Sequence, residues 1–287
     1  MSETIEKFNK HVMQTYGRLP IVLEKGHNDD AVDENDKKYI DFGSGIGTNS
    51  LGYCNDKWAD AVCAQARAIQ HTSNYFYTKV QADFAAKLCE LTGYTDVFFG
   101  NSGAEANECA IKLARKYSFD KYGKGRHTIV TLVNSFHGRT LATLSATGQD
   151  VFHNYFFPFV EGFVNVPAND IDALRKLIAE DKTICAVMFE FVQGEGGVNP
   201  LDKAFVDEIF KLCGENDILT VADEVQTGVG RTGAILTSMR YGVKPDITTL
   251  AKGIAGGVPM GACLADEKCA GVLVKGTHGS TFGGNPL

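Results

Sequence analysis

Apolar residues recur along this chain in two different rhythms. Over residues 2–16 they fall at helical spacing, and two short strand-like runs, 19–23 and 38–42, flank a polar segment, 27–36, that reads as a turn. Amphipathic helices are expected over 55–70 and 79–91. From about residue 96 a unit of short apolar strand, loop and helix repeats. Its strands are expected at 96–99, 128–133, 162–166, 183–189, 218–222 and 246–251, with helices near 102–117, 171–180 and 203–214. Strands this apolar are covered on both faces, and their alternation with helices predicts an α/β fold on a mostly parallel sheet.

In such sheets the ligand crevice lies beyond the carboxyl ends of the strands. Polar residues stand at those ends: Gly100-Asn101-Ser102-Gly103-Ala104-Glu105-Ala106-Asn107, Asn134-Ser135-Phe136-His137-Gly138-Arg139, Asp223-Glu224-Val225-Gln226, and Lys252-Gly253. The first passes from strand to helix through small residues, leaving backbone N–H groups at a helix N-terminus that can seat a phosphate. An ordinary cap by Asn101 or Ser102 reads equally well. The nucleotide P-loop pattern Gly-x-x-x-x-Gly-Lys-Ser/Thr is missing. A formal Gly-x-Gly-x-x-Gly at Gly228-Val229-Gly230-Arg231-Thr232-Gly233 follows its strand by several residues and resembles a loop, so it does not predict a dinucleotide site.

Asp223 ends an apolar run, where a carboxylate is costly unless a cation stands beside it. Glu224 should point to the opposite side of the strand, and a rim acid paired with Arg231 is the plainer alternative for Asp223. Lys252 closes another apolar strand, with Gly253, Gly256 and Gly257 around it. A lysine so placed has a lowered pKa and, as a neutral amine, forms Schiff bases; a solvated strand-end lysine is the alternative. Phe136 either stacks on a flat ring or packs in the core. Together, a phosphate seat, an acid for a protonated ring nitrogen, an amine for an aldehyde and a stacking face are the demands of pyridoxal 5′-phosphate (PLP).

Composition narrows the alternatives. In 287 residues there are 28 Lys+Arg against 35 Asp+Glu, a net charge of −7, so no positive stripe for nucleic-acid phosphates is expected. With 44% hydrophobic and 22% charged residues the chain is too apolar for a disordered one. The longest apolar run, Ile184-Cys185-Ala186-Val187-Met188-Phe189, falls far short of the roughly 20 residues of a spanning helix, so no membrane association is expected. The start, Met1-Ser2-Glu3-Thr4-Ile5-Glu6-Lys7, is acidic where a secretory signal is basic and then apolar, and a cytoplasmic protein is expected. The 8 cysteines include no Cys-x-x-Cys and stand mostly in apolar stretches, which predicts reduced, buried thiols. The 7 histidines include no His-Glu-x-x-His, so no metal is expected.

At these residues the chain resembles the class III PLP-dependent aminotransferases, most closely their acetylornithine aminotransferase group. The motifs that carry the likeness span the chain: Asp41-Phe42-Gly43-Ser44-Gly45-Ile46-Gly47, Asn101-Ser102-Gly103-Ala104-Glu105-Ala106-Asn107-Glu108, Phe136-His137-Gly138-Arg139, Gln193-Gly194-Glu195-Gly196-Gly197, Asp223-Glu224-Val225-Gln226-Thr227-Gly228 and Gly279-Ser280-Thr281-Phe282-Gly283-Gly284-Asn285-Pro286. The resemblance implies a fold type I PLP-transferase with a seven-stranded sheet. It makes Lys252 the Schiff-base lysine, Asp223 the partner of the pyridine nitrogen and Gln226 a partner of the phenolic oxygen. Ser102, Gly103 and Ala104 would hold the phosphate, Phe136 would cover the ring, and Glu224 and Val225 complete the implied cofactor set. Arg139 would take the substrate carboxylate and Glu195 would be a gate acid. Thr281 and Ser280 would serve a neighbouring subunit's cofactor and substrate, which implies a homodimer. One departure is Phe191, where many relatives have proline after Glu190; only a slight shift of the loop is expected.

The activity so implied is transfer of the amino group of N2-acetylornithine to 2-oxoglutarate, giving N-acetylglutamate 5-semialdehyde and glutamate in arginine biosynthesis. Ornithine, succinylornithine and 4-aminobutyrate aminotransferases share the cofactor motifs, and a non-catalytic PLP-binding protein is the alternative of another class. Residues 1–60 are expected to contribute to a small domain and 61–287 to form the large PLP-binding domain. Asn285-Pro286 reads as the start of a helix, so a C-terminal part of the small domain is expected to be missing from a truncated chain.

Overall fold

The apolar strands of the second half pair into one sheet, and everything of functional interest hangs from its edge. The computed structural model describes residues 2–287. It begins with α1 (Glu3–His11), whose first turn is capped by the Ser2 hydroxyl accepting from Thr4 N–H at 3.3 Å. Then β1 (Leu23–His27), β2 (Asp30–Asp33) and β3 (Lys38–Ile40) form an antiparallel sheet in that order. The expected turn at 27–36 therefore contains a strand, and the expected strand at 19–23 contributes only its last residue. The polar segment is extended because Asp33, buried at 8% exposure, organises the turn that follows. Its carboxylate accepts from the N–H groups of Asn35 and Lys37 and from the Tyr39 hydroxyl. A short turn, α2 (Ser44–Gly47), precedes the expected amphipathic helices α3 (Asp56–Ala68) and α4 (Lys79–Thr92). Asn55 caps the first through Trp58 N–H, and Gly93 ends the second in the left-handed conformation.

The remaining elements are β4 (Asp96–Gly100), α5 (Gly103–Tyr122), β5 (Thr128–Leu132), α6 (Leu141–Ala146), β6 (Phe163–Val166), α7 (Ile171–Glu180) and β7 (Ile184–Phe189). The two-residue strands β8 (Val192–Gln193) and β9 (Asn199–Pro200) pair with each other. Next come α8 (Lys203–Asn216), β10 (Leu219–Asp223), α9 (Thr237–Tyr241), β11 (Ile247–Leu250) and β12 (Gly261–Ala265). The main sheet is seven-stranded in the order β4-β12-β11-β10-β7-β5-β6. It is parallel except for β12, which runs against both β11 and β4. Each face carries its own core. On one, Ile111 and Leu113 of α5 pack with Met188, Val221 and Ile247; on the other, Leu174, Ile178, Phe205 and Ile209 of α7 and α8 pack with Val130, Val187 and Phe189. Phe191 is buried between Phe189 and Tyr241, with ring centroids 5.2 and 4.9 Å away, so it fills core at the start of its loop.

The thiols divide. Cys109, Cys185, Cys213, Cys263 and Cys269 are buried, whereas Cys54 and Cys63 are exposed, contrary to expectation; all eight are free.

No strand was expected at β12, because Gly261-Ala262-Cys263-Leu264-Ala265 lacks the β-branched residues that mark strands. Small residues are required there by contact. A Cβ on Gly261 would stand 2.1 Å from the carbonyl oxygen of Ser102, at the entrance of α5. Neither backbone can yield without moving β12 or α5. Gly261→Ala is therefore expected to destabilise the fold by about 1–3 kcal/mol, the usual cost of overpacking. It should also weaken PLP binding, since Ser102 opens α5. A urea midpoint and a PLP titration equal to the parent's would refute the close approach.

Candidate active site

The carboxyl ends of β4, β5, β7, β10 and β11 open onto a cavity of about 460 Å³, and β12 enters the sheet beside them. Its walls include Gly103, Phe136, Arg139, Asp223, Gln226 and Lys252, contributed by separate strand ends as the sequence expects.

Asp223, the last residue of β10, is 4% exposed. Its Oδ2 accepts from Asn107 Nδ2 at 2.8 Å and lies 2.8 Å from His137 Nδ1, while Oδ1 accepts from Val225 N–H at 3.0 Å. Arg231, the alternative partner weighed from sequence, lies instead against the turn at Gly47. Asn107 is itself fully engaged: Nδ2 also donates to His137 O at 2.7 Å, and Oδ1 accepts from the Thr249 hydroxyl at 2.7 Å. Burial works against a charge on His137, but the hydrogen bond it donates to Asp223 and the charges of Asp223 and Glu190 prevail and raise its pKa. His137 Nε2 is buried without a hydrogen-bond partner.

Lys252 follows β11 at φ 49°, a left-handed conformation that non-glycine residues adopt at a cost and that clusters at functional sites. Its Nζ forms no hydrogen bond or ion pair among the described residues. Burial lowers its pKa against the opposing charges of Asp223, Glu190 and Glu195. A half-buried lysine with a lowered pKa and no ion-pair partner has the character of an available amine more than of a fully solvated strand-end lysine.

At the start of α5, capping and ligand seat coexist. The Ser102 hydroxyl accepts from Glu105 N–H at 3.2 Å, and the Glu105 carboxylate accepts from Asn101 N–H at 2.7 Å. The N–H groups of the following residues have no partner within the helix. Gly103 and Ala104 line the cavity at this point, where a Cβ on Gly103 would meet Val225 at 2.7 Å. Phe136 also lines the cavity, with the Arg139 guanidinium 5.4 Å from its ring centroid and 4.1 Å from that of Phe152. Glu195 also lines the cavity, at the exposed mouth.

Three of the named residues are not in the lining of this chain's own cavity, and for two of them, Ser280 and Thr281, the role expected from sequence is in a neighbouring subunit's site. Glu224 is fully buried but turned away: its carboxylate accepts from the N–H groups of Thr237 and Ser238 and so caps α9. Strand alternation sends adjacent acids to opposite sides, so the Glu224 carboxylate does not line this cavity. Ser280 and exposed Thr281 are outside the cavity lining, and the Ser280 hydroxyl accepts from Asn101 Nδ2 at 3.2 Å. Conversely, Asn107, His137 and Glu190 line the cavity, although the sequence alone assigns none of them a role. Asn107 stands four residues after Gly103 and so shares its helix face, a spacing that could have revealed it.

A buried carboxylate with a free acceptor position, an unpartnered and desolvated lysine, a glycine-lined helix start and an aromatic wall fit PLP in donor chemistry. The comparisons agree with that reading. The chain matches the class-III aminotransferase family over residues 12–287, and it belongs to that family. It is therefore a PLP-dependent aminotransferase by fold and kinship.

Among relatives, it is 53% identical to an acetylornithine aminotransferase of Haemophilus ducreyi, across 96% of this chain and 70% of that protein. It is 45% identical to a succinylornithine transaminase of Citrobacter koseri, across 100% of this chain and 70% of that one. A solved ornithine aminotransferase of Toxoplasma gondii, described with partial occupancy of PLP at its active site, superposes with a TM-score of 0.93 at 34% identity, over 99% of this chain and 67% of that one. Among the described residues no helix is long and apolar enough to cross a membrane, and no group of three or more side chains could hold a metal ion.

His137 gives the site a pH signature. Because its folded pKa is raised, its stabilising contribution is fully present below the ordinary imidazole value of about 6.5 and is lost as pH rises through the folded value. Urea midpoints of the PLP-free chain should therefore fall more steeply with rising pH, across this window, than those of His137→Gln. Parallel slopes would show that His137 does not titrate between the two states.

Proposed function

We propose that this aminotransferase moves the amino group of N2-acetylornithine to 2-oxoglutarate, yielding N-acetylglutamate 5-semialdehyde and glutamate, a step of arginine biosynthesis. The observation that carries the reaction class is the convergence of Lys252, buried Asp223 and the start of α5 on one cavity. The donor rests on the 53% identity to an acetylornithine aminotransferase. The 45% identity to a succinylornithine transaminase keeps the succinylated donor as a second reading.

In this reading the N–H groups of Gly103 and Ala104, with Ser102, hold the phosphate, Phe136 covers the ring and Gln226 meets its phenolic oxygen. Bound PLP supplies the aldehyde that carries the amino group and the electron sink that makes a neighbouring C–H bond acidic. Lys252 Nζ anchors the cofactor and then moves the proton, a task suited to an amine whose pKa burial has lowered. Asp223 keeps the ring nitrogen protonated, and Asn107, His137 and Val225 N–H fix its carboxylate for that duty. Arg139 takes a substrate carboxylate and Glu195 gates the mouth.

A homodimer is part of the proposal, with Ser280 and Thr281 serving the neighbouring site. Its support is the exposure of several large aromatic side chains, including Phe42 at 93%, Tyr75 at 93% and Tyr77 at 105%, the residue type that subunit contacts cover. Residues 1–60, which hold β1 to β3 apart from the main sheet, are assigned to a small domain and 61–287 to the large one. A cytoplasmic location completes the reading.

Two measurements test it. Borohydride reduction of the PLP-loaded protein and peptide mapping should place the pyridoxyl group on Lys252; labelling of another lysine defeats the assignment. With 2-oxoglutarate as acceptor, N2-acetylornithine should be turned over with a kcat/KM at least about tenfold above that of ornithine, the discrimination worth about 1.4 kcal/mol. Preference for ornithine or 4-aminobutyrate would move the chain to another branch, and equal use of succinylornithine would merge the two readings.

A further inference from the structure

Glu190 follows β7 directly, is 6% exposed and lines the cavity, yet none of the roles above uses it. Its two oxygens reach two different loops. Oε2 accepts the Phe136 N–H at 2.9 Å, in the loop after β5, and Oε1 accepts the Gly194 N–H at 3.4 Å, in the loop after β7. Gln193 ties the same loops once more, its Nε2 donating to Val133 O at 2.8 Å. The two loops also touch where they lack side chains, since a Cβ on Gly196 would stand 2.4 Å from Asn134 O, and the β7 loop is packed as closely on the loop after β10, where a Cβ on Gly194 would stand 1.8 Å from Gln226 Oε1. Loops packed this closely have little slack, so a side chain fastened to both fixes one against the other.

Burial holds the Glu190 carboxyl above the ordinary carboxylate range, with the His137 charge opposing and the Asp223 charge adding to it. Lys252 and Glu195 complete the charged groups around this end of the cavity. Glu190 forms no ion pair with a lysine or arginine among the described residues. Its orientation follows from the two backbone N–H groups it binds.

We propose that Glu190 is a positioning residue of the aminotransferase site, its reach across both loops setting Phe136 over the cofactor seat and Glu195 at the substrate mouth. The proposal rests on the reading of this cavity as a PLP site. Reach is the operative property, which separates two conservative substitutions. Glu190→Gln keeps the length and one acceptor oxygen, which stays with the shorter bond to Phe136. Its NH₂ group then faces the Gly194 N–H, donor against donor, so only the second loop is released. Glu190→Asp keeps the charge but is shorter by one C–C bond, about 1.5 Å, and cannot span both loops.

The experiment compares the parent with both variants as PLP-loaded protein. Visible circular dichroism of the bound cofactor, without substrate, reports how Phe136 holds the ring, and KM against kcat for the amino donor reports the mouth. A thermal midpoint monitors the fold. Glu190→Gln should keep the dichroism and kcat and raise KM about threefold to tenfold, while Glu190→Asp should diminish the dichroism and weaken PLP binding by about tenfold. An aspartate variant equal to or better than the glutamine variant would assign the effect to charge and overturn the proposal. So would parental dichroism and KM in both variants, whether or not the thermal midpoint falls. Where Glu190→Asp does not fold, the Glu190→Gln split between unchanged dichroism and raised KM decides alone. A parent with no borohydride-sensitive visible absorption would defeat the PLP reading itself, and this proposal with it, and is told apart by needing no variant.

Discussion

The arrangement of this molecule depends on burying one carboxylate. Asp223 sits at the end of β10 at 4% exposure, and an ionised acid in such a place is tolerated only where donors converge on it. The donors come from different elements: Asn107 from α5, His137 from the loop after β5 and Val225 from the acid's own strand end. Holding the acid therefore fixes the axial position of α5 and the path of the β5 loop. The same placements bring the start of α5 and the ring of Phe136 to the cavity wall. Asn107 binds Asp223, His137 O and Thr249 at once, so β10, β11, α5 and the β5 loop are locked by a single side chain.

Alternation along β10 then separates the duties of two neighbouring acids. Asp223 faces the cavity; Glu224 faces away and binds the first N–H groups of α9. Both are buried, and both are satisfied by donors, but only one can meet a ligand. A charge at a strand end is thus not informative by itself. What distinguishes the pair is the side of the sheet on which each projects.

The parts of the structure legible from sequence were those written in periodicity. Apolar runs located β4, β5, β6, β7, β10 and β11, and their polar termini located Asp223 and Lys252, because strand ends and helix starts obey short-range rules. What escaped depended on long-range contact. β12 is built of small residues because Gly261 touches Ser102, which no local pattern announces. β2 looks like a turn because its organising acid, Asp33, is polar. His137 and Glu190 line the cavity only when the loops after β5 and β7 are brought together, and the Glu224 carboxylate projects away from it, a direction that a motif match does not encode. The buried thiols followed the apolar pattern, whereas Cys54 and Cys63 lie in the first part of the chain, where no large core covers them.

The reversed direction of β12 also divides the site by loop length. Lys252 lies in the short connection between β11 and β12, so the stretch that presents it is closed by a local antiparallel pairing. The start of α5, by contrast, depends, besides the Asn107 contacts, on the pairing of Gly261 with Gly100, which joins the strand of the main sheet that is first along the chain to the one that is last. Chain entropy opposes that second closure more strongly, since the cost of a loop grows with the logarithm of its length. The two halves of one ligand seat thus differ in what it takes to form them: the lysine turn is a product of near neighbours, and the helix start needs a pairing between strands far apart along the chain.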